Sequence, residues 1–233
     1  MSNCGEHIAS NIGKLIVFEG VDRAGKSTLL EQTYLELTAK GHKVVKFKNL
    51  EDDSVTGSAI RKILNTDKDQ YIDALRMGLL YSSELYYQFY KKNGIIEHIQ
   101  NGYIVLLDRS IYSTYVYAHK SDILPDILNK FDRKLHKEDL LIYVKADMKS
   151  INKRGDDSKR DLYESSEKIE EHAVKYVDLF YDRVGPNPFR NDYITLGKKD
   201  NFIVADNSAD GCTHMVVKEI CNHIENKILG VKK

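Results

Sequence analysis

The chain has little cysteine and no tryptophan. Three of its 233 residues are cysteines, Cys4, Cys212 and Cys221, and their spacing is not that of metal ligands. So few cysteines argue against a disulfide framework and indicate a protein of a reducing compartment. The aromatic residues are mostly tyrosines, of which there are fifteen.

A net charge is also absent. Lysine plus arginine and aspartate plus glutamate each number 35, so the formal charge is zero. Proteins that bind nucleic acids or membrane surfaces in general carry a basic excess, and this balance argues against both partners. The chain has no apolar run long enough to span a bilayer and no basic-then-apolar leader, so we expect a cytoplasmic protein that acts on a small molecule.

One motif that is present identifies a ligand class. An apolar strand at 15–19 runs into Gly-x-x-x-x-Gly-Lys-Ser, the phosphate-binding loop, from Gly20 to Ser27. Gly20 and Gly25 can take backbone angles closed to other residues, so consecutive N–H groups turn inward around an anion. Lys26 is expected to reach the β- and γ-phosphates, and the Ser27 hydroxyl to bind Mg²⁺. The expected nucleotide-binding residues of the loop are Gly20, Ala24, Gly25, Lys26, Ser27 and Thr28.

Short apolar segments alternate with helical patterns along the whole chain. This alternation predicts an α/β fold of the P-loop NTPase type, a five-stranded parallel sheet with helices on both faces. We expect a single domain over residues 14–233, a flexible tail at 1–13 and a surface loop at 185–201. The expected strands are 15–19, 43–47, 103–107, 140–144 and 202–204, and the expected helices include 27–40, 57–64, 72–100 and 213–228.

Two charged residues lie inside the phosphate loop. Bound phosphates would repel Asp22, so its presence is better explained by a ligand hydroxyl that donates to it, such as a sugar 3′-OH. Arg23 would stabilise charge on the transferring phosphoryl group, as an arginine finger supplied in cis does. The alternative for both is a solvated loop tip.

A second pair of charges stands at the end of the third expected strand. Asp108 is at the strand tip, where a carboxylate beside a phosphate loop orders Mg²⁺. Arg109 would then face a second anion. The alternative is a surface arginine, with Ser110 as the N-cap of the next helix. The phosphate loop in the same chain favours the functional interpretation.

A segment of mixed charge, residues 153–164, follows the fourth strand and a short helix. It contains Arg154 and Arg160 on either side of a glycine that breaks the helix. Runs of charge are often solvated faces, but this composition also suits a lid that closes over phosphates and excludes water. We expect Arg154 to bind the nucleotide, Arg160 to act in catalysis and Tyr163 to reach the acceptor.

These motifs resemble the thymidylate kinase family, whose members move a phosphoryl group from ATP to dTMP. Residues 18–28 resemble the eukaryotic-type phosphate loop, which has its arginine inside the loop. Residues 108–110 resemble the family's Asp-Arg-Tyr, with serine in place of tyrosine, and residues 79–82 resemble Leu-Leu-Phe-Ser, whose aromatic ring stacks on thymine. Residues 160–164 resemble the lid, with one extra residue, and residues 204–208 resemble the last strand and the loop near adenine.

The resemblance implies an ATP- and Mg²⁺-dependent kinase that makes dTDP for dTTP synthesis. By the same resemblance, Asp22 would hold the deoxyribose 3′-OH, Arg109 the acceptor phosphate and Tyr81 the base. The family's dimers pack helices against each other, and the tyrosine-rich helix at 72–100 is the expected contact of a homodimer.

The acceptor half of the site, which would bind the molecule that receives the phosphoryl group, departs from the family's pattern in two places. After the second strand the family has Phe-Pro-x-Arg, whose arginine grips the monophosphate, whereas residues 47–50 read Phe-Lys-Asn-Leu. Phe47 and Lys48 are the nearest counterparts, although a lysine is a point charge rather than a bidentate fork. The family also has a base-contacting arginine on the long helix, where residues 84–86 carry none. The residues expected to bind ATP, the donor half of the site, thus match the family's pattern. The identity of the phosphoryl acceptor stays open.

Three other functions remain open on the sequence. Residues 108–113 also resemble the Glu-Arg-Ser-x-Tyr-Ser motif of deoxynucleoside kinases, which need a carboxylate base for the 5′-hydroxyl; Glu51 or Asp52 would serve. A phosphotransferase for a non-nucleotide acid is the second. The third, from another class, is an NTP-binding regulatory protein without turnover, although the Asn-Lys-x-Asp motif of switch-type GTPases is absent.

Overall fold

A six-stranded sheet lies at the centre of the protein. The computed structural model describes residues 12–51, 54–66, 70–117, 122–154, 165–180, 194–196, 201–208 and 211–230. The strands are β1 (Lys14–Glu19), β2 (Val44–Lys48), β3 (Ile104–Asp108), β4 (Leu140–Lys145), β5 (Ile194–Leu196) and β6 (Phe202–Asp206). Their order in the sheet is β2-β3-β1-β4-β6-β5.

Five of these strands are parallel, as the sequence predicts. β1 lies between β3 and β4, and the residues from Leu15 to Phe18 are almost fully buried because helices cover both faces. The sixth strand corrects the expectation of a surface loop at 185–201, since β5 pairs antiparallel with β6. A three-residue strand carries too little periodicity to be recognised beside the prolines and lysines of that segment.

The helices agree with the expected positions except at two breaks. They are α1 (Lys26–Ala39), α2 (Val55–Thr66), α3 (Gln70–Tyr90), α4 (Ile95–Gln100), α5 (Ile111–Tyr117), α6 (Leu124–Asp132), α7 (Met148–Lys153), α8 (Ser166–Phe180) and α9 (Thr213–His223). The single helix expected at 72–100 is wrong, because Asn93 adopts a left-handed conformation, φ 55°, and ends α3 before Gly94. The last expected helix, 213–228, continues from His223 as a π-helix, Ile224–Ile228.

The sheet topology places the two charged motifs side by side. Phe18 of β1 pairs with Asp108 of β3, so the phosphate loop and Asp108 leave the sheet at neighbouring carboxyl ends. A small apolar cluster of α2 and α3 residues, centred on Ile60, Ile63 and Met77, flanks this end. No helix within the described residues is long and apolar enough to cross a membrane. The expected tail at 1–13 lies almost entirely outside the described residues, and so does the lid beyond Arg154.

Candidate active site

The phosphate loop has backbone angles that require its glycines. Gly20 has φ 142° and Gly25 has φ 91°. A Cβ atom at Gly20 would lie 2.2 Å from the Val144 carbonyl oxygen, and one at Gly25 would lie 2.2 Å from Asn207 Nδ2. Arg23 also has a positive φ, 64°, which is uncommon for a residue with a side chain. The loop is therefore held in a shape that few sequences can adopt.

Lys26 is a buried cation at the centre of the loop. Its Nζ donates a hydrogen bond to the Val21 carbonyl oxygen at 2.8 Å. Burial and the charge of Arg109 lower the pKa of Lys26 to about 8, against the opposing effect of nearby carboxylates. The ammonium thus lacks a full counter-charge in its surroundings, and phosphate oxygens would supply one.

Ser27 and Asp108 meet as a pair that fits magnesium. Ser27 Oγ donates to Asp108 Oδ2 at 2.9 Å. The other carboxylate oxygen, Oδ1, is buried and has no hydrogen-bond partner in the described part of the chain. An orphaned carboxylate oxygen of this kind is satisfied by an ion or a water. Magnesium is usually bound through one or two carboxylates plus substrate phosphates, and the donor set here suits that arrangement.

Asp22 and Arg109 form an ion pair across the site. Arg109 Nη2 donates to Asp22 Oδ1, and the Tyr117 hydroxyl donates to Asp22 Oδ2 at 2.7 Å. Burial raises the pKa of Asp22, but the charges of Arg109 and Lys26 and the hydrogen bond from Tyr117 outweigh it and lower the pKa to about 2. Asp22 is therefore an anion throughout the physiological pH range. The sequence predicted separate ligand contacts for these residues; the structure brings them together.

One cavity of about 490 Å³ joins these groups, a size typical of small-molecule sites. Eleven residues expected at the site line it: Asp22, Arg23, Gly25, Lys26, Ser27, Thr28, Lys48, Tyr81, Asp108, Arg109 and Arg154. Phe47 is instead buried, with its ring edge against His98. Gly20 shapes the loop without lining the cavity. Arg160 and Tyr163 lie outside the described residues.

Arg154 binds the backbone of the phosphate loop. Its guanidinium donates to the Ala24 carbonyl oxygen at 3.0 Å and to the Asn207 carbonyl oxygen at 2.5 Å. Asn207 Nδ2 also donates to the Ala24 oxygen, at 2.9 Å. Arg154 and Asn207 therefore support the loop by hydrogen bonds to the carbonyl oxygen of Ala24.

Sequence reasoning missed seven further residues of the cavity wall: Asn49, Leu50, Arg61, Leu64, Ser113, Thr114 and Tyr117. A signal existed for some of them. Arg61 and Leu64 lie three residues apart on α2, and Ser113 and Tyr117 lie four residues apart on α5, which places each pair on one side of its helix. Thr114 Oγ1 and Asn49 Oδ1 are buried without a hydrogen-bond partner among the described residues, as groups that meet a polar ligand would be.

The carboxylate considered as a base for a nucleoside kinase is not at the cavity. Glu51 accepts a hydrogen bond from Lys91 Nζ at 2.7 Å and does not line the cavity. Asp52, the other candidate, lies outside the described residues.

Comparisons with known proteins indicate the family to which the chain belongs. A family model described as thymidylate kinase matches residues 18–198. A probable thymidylate kinase of Methanococcus maripaludis (strain C7) is 27% identical over 220 residues, 93% of this chain and 98% of the relative. A thymidylate kinase of Thermoanaerobacter sp. (strain X514) is 31% identical over 180 residues, 73% of this chain and 87% of the relative. One of Caldicellulosiruptor saccharolyticus is 39% identical, over about half of its own length (49%).

A solved structure extends the comparison to the fold. The thymidylate kinase of Candida albicans is similar with a TM-score of 0.69 at 20% identity, and the match covers 93% of this chain and 92% of that one. At this identity the likeness shows the fold alone, and it confirms the expected P-loop NTPase architecture. With a family model that matches most of the chain, the conclusion is that this chain belongs to the thymidylate kinase family of nucleoside monophosphate kinases.

Proposed function

We propose that this enzyme transfers the γ-phosphoryl group of ATP to dTMP and so forms dTDP for dTTP synthesis. The observation that carries the proposal is the single cavity onto which the phosphate loop and the Asp22–Arg109 pair both open. A donor and an acceptor bound there would meet inside one enclosed volume. Phosphoryl transfer needs little from a protein beyond such positioning and the stabilisation of charge.

The donor half would bind ATP through the backbone N–H groups of the loop. Lys26 would leave the Val21 carbonyl oxygen and bind the β- and γ-phosphates, and Arg23, at the loop tip, would neutralise charge on the transferring group. Ser27 and Asp108 would hold Mg²⁺, directly or through its waters. When bound, the ion would supply positive charge that offsets the negative charge of the phosphates.

The acceptor half would bind a nucleoside monophosphate. The Asp22 carboxylate can accept more hydrogen bonds than it receives from Arg109 and Tyr117, which leaves room for a 3′-hydroxyl. Arg109 would donate to the acceptor phosphate, and the Tyr81 ring would lie against the base. The arginine that the family has after the second strand is replaced by Leu50, which packs into the apolar cluster of α2 and α3.

Arg61 is our candidate for the cation that replaces this arginine. It lines the acceptor side of the cavity from α2, and Lys48 lines it from the end of β2. Two cations beyond the Asp22–Arg109 pair suit a phosphate monoester better than an uncharged nucleoside. This is the feature that favours dTMP over thymidine as the acceptor.

Replacing Arg61 with alanine should raise the KM for dTMP about tenfold, the effect of losing one charge-assisted hydrogen bond. The KM for ATP should not change. Steady-state kinetics with each substrate varied in turn measure both values. Lys62→Ala is the matched control, because Lys62 is the next residue of α2, is exposed and does not line the cavity. An unchanged KM for dTMP in the Arg61 variant would remove Arg61 from the acceptor site.

The proposed function is tested by ADP release in a coupled assay with a panel of nucleosides and nucleoside monophosphates. We expect release with dTMP. Release only with unphosphorylated nucleosides would instead support a deoxynucleoside kinase. No ADP release with any acceptor of the panel, together with stabilisation by ATP, would support the regulatory NTP-binding protein. The Lys26→Ala variant serves as the background for ADP that contaminating enzymes produce.

We extend the proposal to the assembly and location of the enzyme. The side chains of Tyr86, Tyr87 and Tyr90 are about half exposed on α3 (47%, 50% and 47%), and a second copy of the chain would cover them. Sedimentation velocity tests this homodimer. Cys212 and Cys221 are free thiols, which suits the reducing conditions of the cytoplasm.

A further inference from the structure

Glu19 is a fully buried carboxylate that has no part in the proposed chemistry. It is the last residue of β1 and stands directly before Gly20 of the phosphate loop. Its Oε1 accepts from Ser110 N at 2.6 Å, Ser110 Oγ at 3.1 Å and Ser113 N at 3.2 Å. Its Oε2 accepts from Ser113 Oγ at 2.7 Å and from the Tyr176 hydroxyl at 2.8 Å. Five donors thus compensate the loss of water around one carboxylate.

These hydrogen bonds connect Glu19 to Arg109. The Ser113 hydroxyl, which donates to Glu19, accepts a hydrogen bond from Arg109 Nη1 at 3.1 Å. The same Nη1 atom donates to the Gly20 carbonyl oxygen at 3.2 Å. The Arg109 guanidinium is therefore fixed between the beginning of the phosphate loop and a serine that Glu19 orients.

The backbone of Arg109 needs such support. Its φ is 68°, in the left-handed region that residues with a side chain rarely adopt. Backbone of this kind persists only where the surrounding structure holds it. The N–H groups of Ser110 and Ser113, on the C-terminal side of Arg109, are both bound by Glu19. Glu19 thus holds the segment as well as the side chain.

Ser110 is a further donor to Glu19. The family has tyrosine at this position, and the sequence offered Ser110 only as an N-cap. In the structure its hydroxyl donates to Glu19, so the serine adds one hydrogen bond to the carboxylate.

We propose that Glu19 is a positioning residue that sets the Arg109 guanidinium relative to the phosphate loop and thereby orients the acceptor phosphate. The inference rests on the proposed function, in which Arg109 binds that phosphate. The hydrogen bonds of the Glu19 side chain go to Ser110, Ser113 and Tyr176, and none of these residues belongs to the phosphate loop that would bind ATP. The end of β1 is already held between β3 and β4, where Phe18 pairs with Asp108 and Glu19 pairs with Tyr143 through the backbone.

The Glu19→Gln variant tests this role. Glutamine has the same size and keeps one oxygen for the N–H groups, but its amide nitrogen cannot accept from Ser113 or Tyr176. We expect the KM for dTMP to rise about tenfold and the KM for ATP to stay within about twofold of the wild type. A purely structural role would lower the thermal midpoint and the fraction of active enzyme, which scales kcat and leaves both KM values unchanged. That result would overturn the proposal.

A double-mutant cycle tests whether Glu19 acts on Arg109 through Ser113. Ser113→Ala should reproduce the rise in the KM for dTMP, and the double variant Glu19→Gln/Ser113→Ala should be no worse than the worse single variant. Tyr112→Phe is the control, because Tyr112 lies on the same helix but its hydroxyl donates to Glu138, at 2.6 Å. Additive effects of the two substitutions on the KM for dTMP would show that Glu19 and Ser113 act separately. That result would contradict the connection through Ser113.

The wild type is assayed in parallel with the acceptor panel. If it does not phosphorylate dTMP but uses another acceptor, only the proposed substrate fails. The KM values of the Glu19→Gln and Ser113→Ala variants are then measured with that acceptor. The same rise in the acceptor KM, with an unchanged KM for ATP, is expected.

Discussion

The Lys26→Ala variant should lose at least about 10²- to 10³-fold in kcat while it remains folded. Lys26 is the buried cation that the phosphates of ATP would meet, and the charge that develops in the transition state needs its ammonium. The substitution also removes a buried charge that burial destabilises, since the pKa of Lys26 is lowered to about 8. Thermal unfolding should therefore show a midpoint near that of the wild type. ADP release with dTMP measures kcat.

A lysine far from the cavity provides the comparison for this variant. Lys46 is on β2, forms an ion pair with Glu31 and does not line the cavity. Lys46→Ala should keep kcat unchanged, because a surface ion pair contributes little. Near-normal turnover of the Lys26 variant would refute its role in transfer, whatever the control shows.

The Asp22→Ala variant should lose both stability and acceptor binding. Its removal leaves the partly buried Arg109 guanidinium without its counter-charge, which costs about 2 kcal/mol in the free energy of unfolding. The KM for dTMP should rise far more than the KM for ATP, because Asp22 would bind the 3′-hydroxyl and holds Arg109 in place. Denaturant unfolding and steady-state kinetics measure the two effects. An equal rise in both KM values would mean that Asp22 is only structural.

The stability effect of Asp22 has a characteristic pH dependence. The pKa of Asp22 is about 2 in the folded protein against 3.8 for an ordinary aspartate, so the folded state favours the anion. The stabilisation is complete above about pH 4 and is lost as the pH falls towards 2. The difference in unfolding free energy between wild type and Asp22→Ala should therefore shrink below pH 4. Asp132→Ala, which breaks an exposed pair with Lys137, should show a small difference at every pH.

The fold and the donor half were largely predictable because their signals are local. Four of the five parallel strands contain a continuous apolar run of at least four residues, and the phosphate loop is one stretch of the chain with a strand before it and a helix after it. The predictions of secondary structure failed where the sequence pattern was very short or depended on a single residue. The three residues of β5 were too few to show a period, and one left-handed Asn93 was enough to end α3.

The acceptor half was less predictable, because its residues come from separate parts of the chain. Arg61 was not recognised, because its spacing from Leu64 places both on one side of α2 but does not indicate that this side faces the cavity. Lys48 was expected as the substitute for the missing arginine, and in the structure both Lys48 and Arg61 line the cavity. The part played by Glu19 was invisible in the sequence, where it reads simply as the last residue of a strand.

The sequence alone therefore determined the P-loop fold and the ligand class, because the whole Gly-x-x-x-x-Gly-Lys-Ser motif, with a strand before it and a helix after it, lies in one stretch of the chain. The tertiary structure decided how the charges are paired. Asp22 and Arg109 are 87 residues apart, and they meet because β1 and β3 are neighbours in the sheet. Strand order and helix packing bring distant residues together, and no local pattern of residues encodes that proximity.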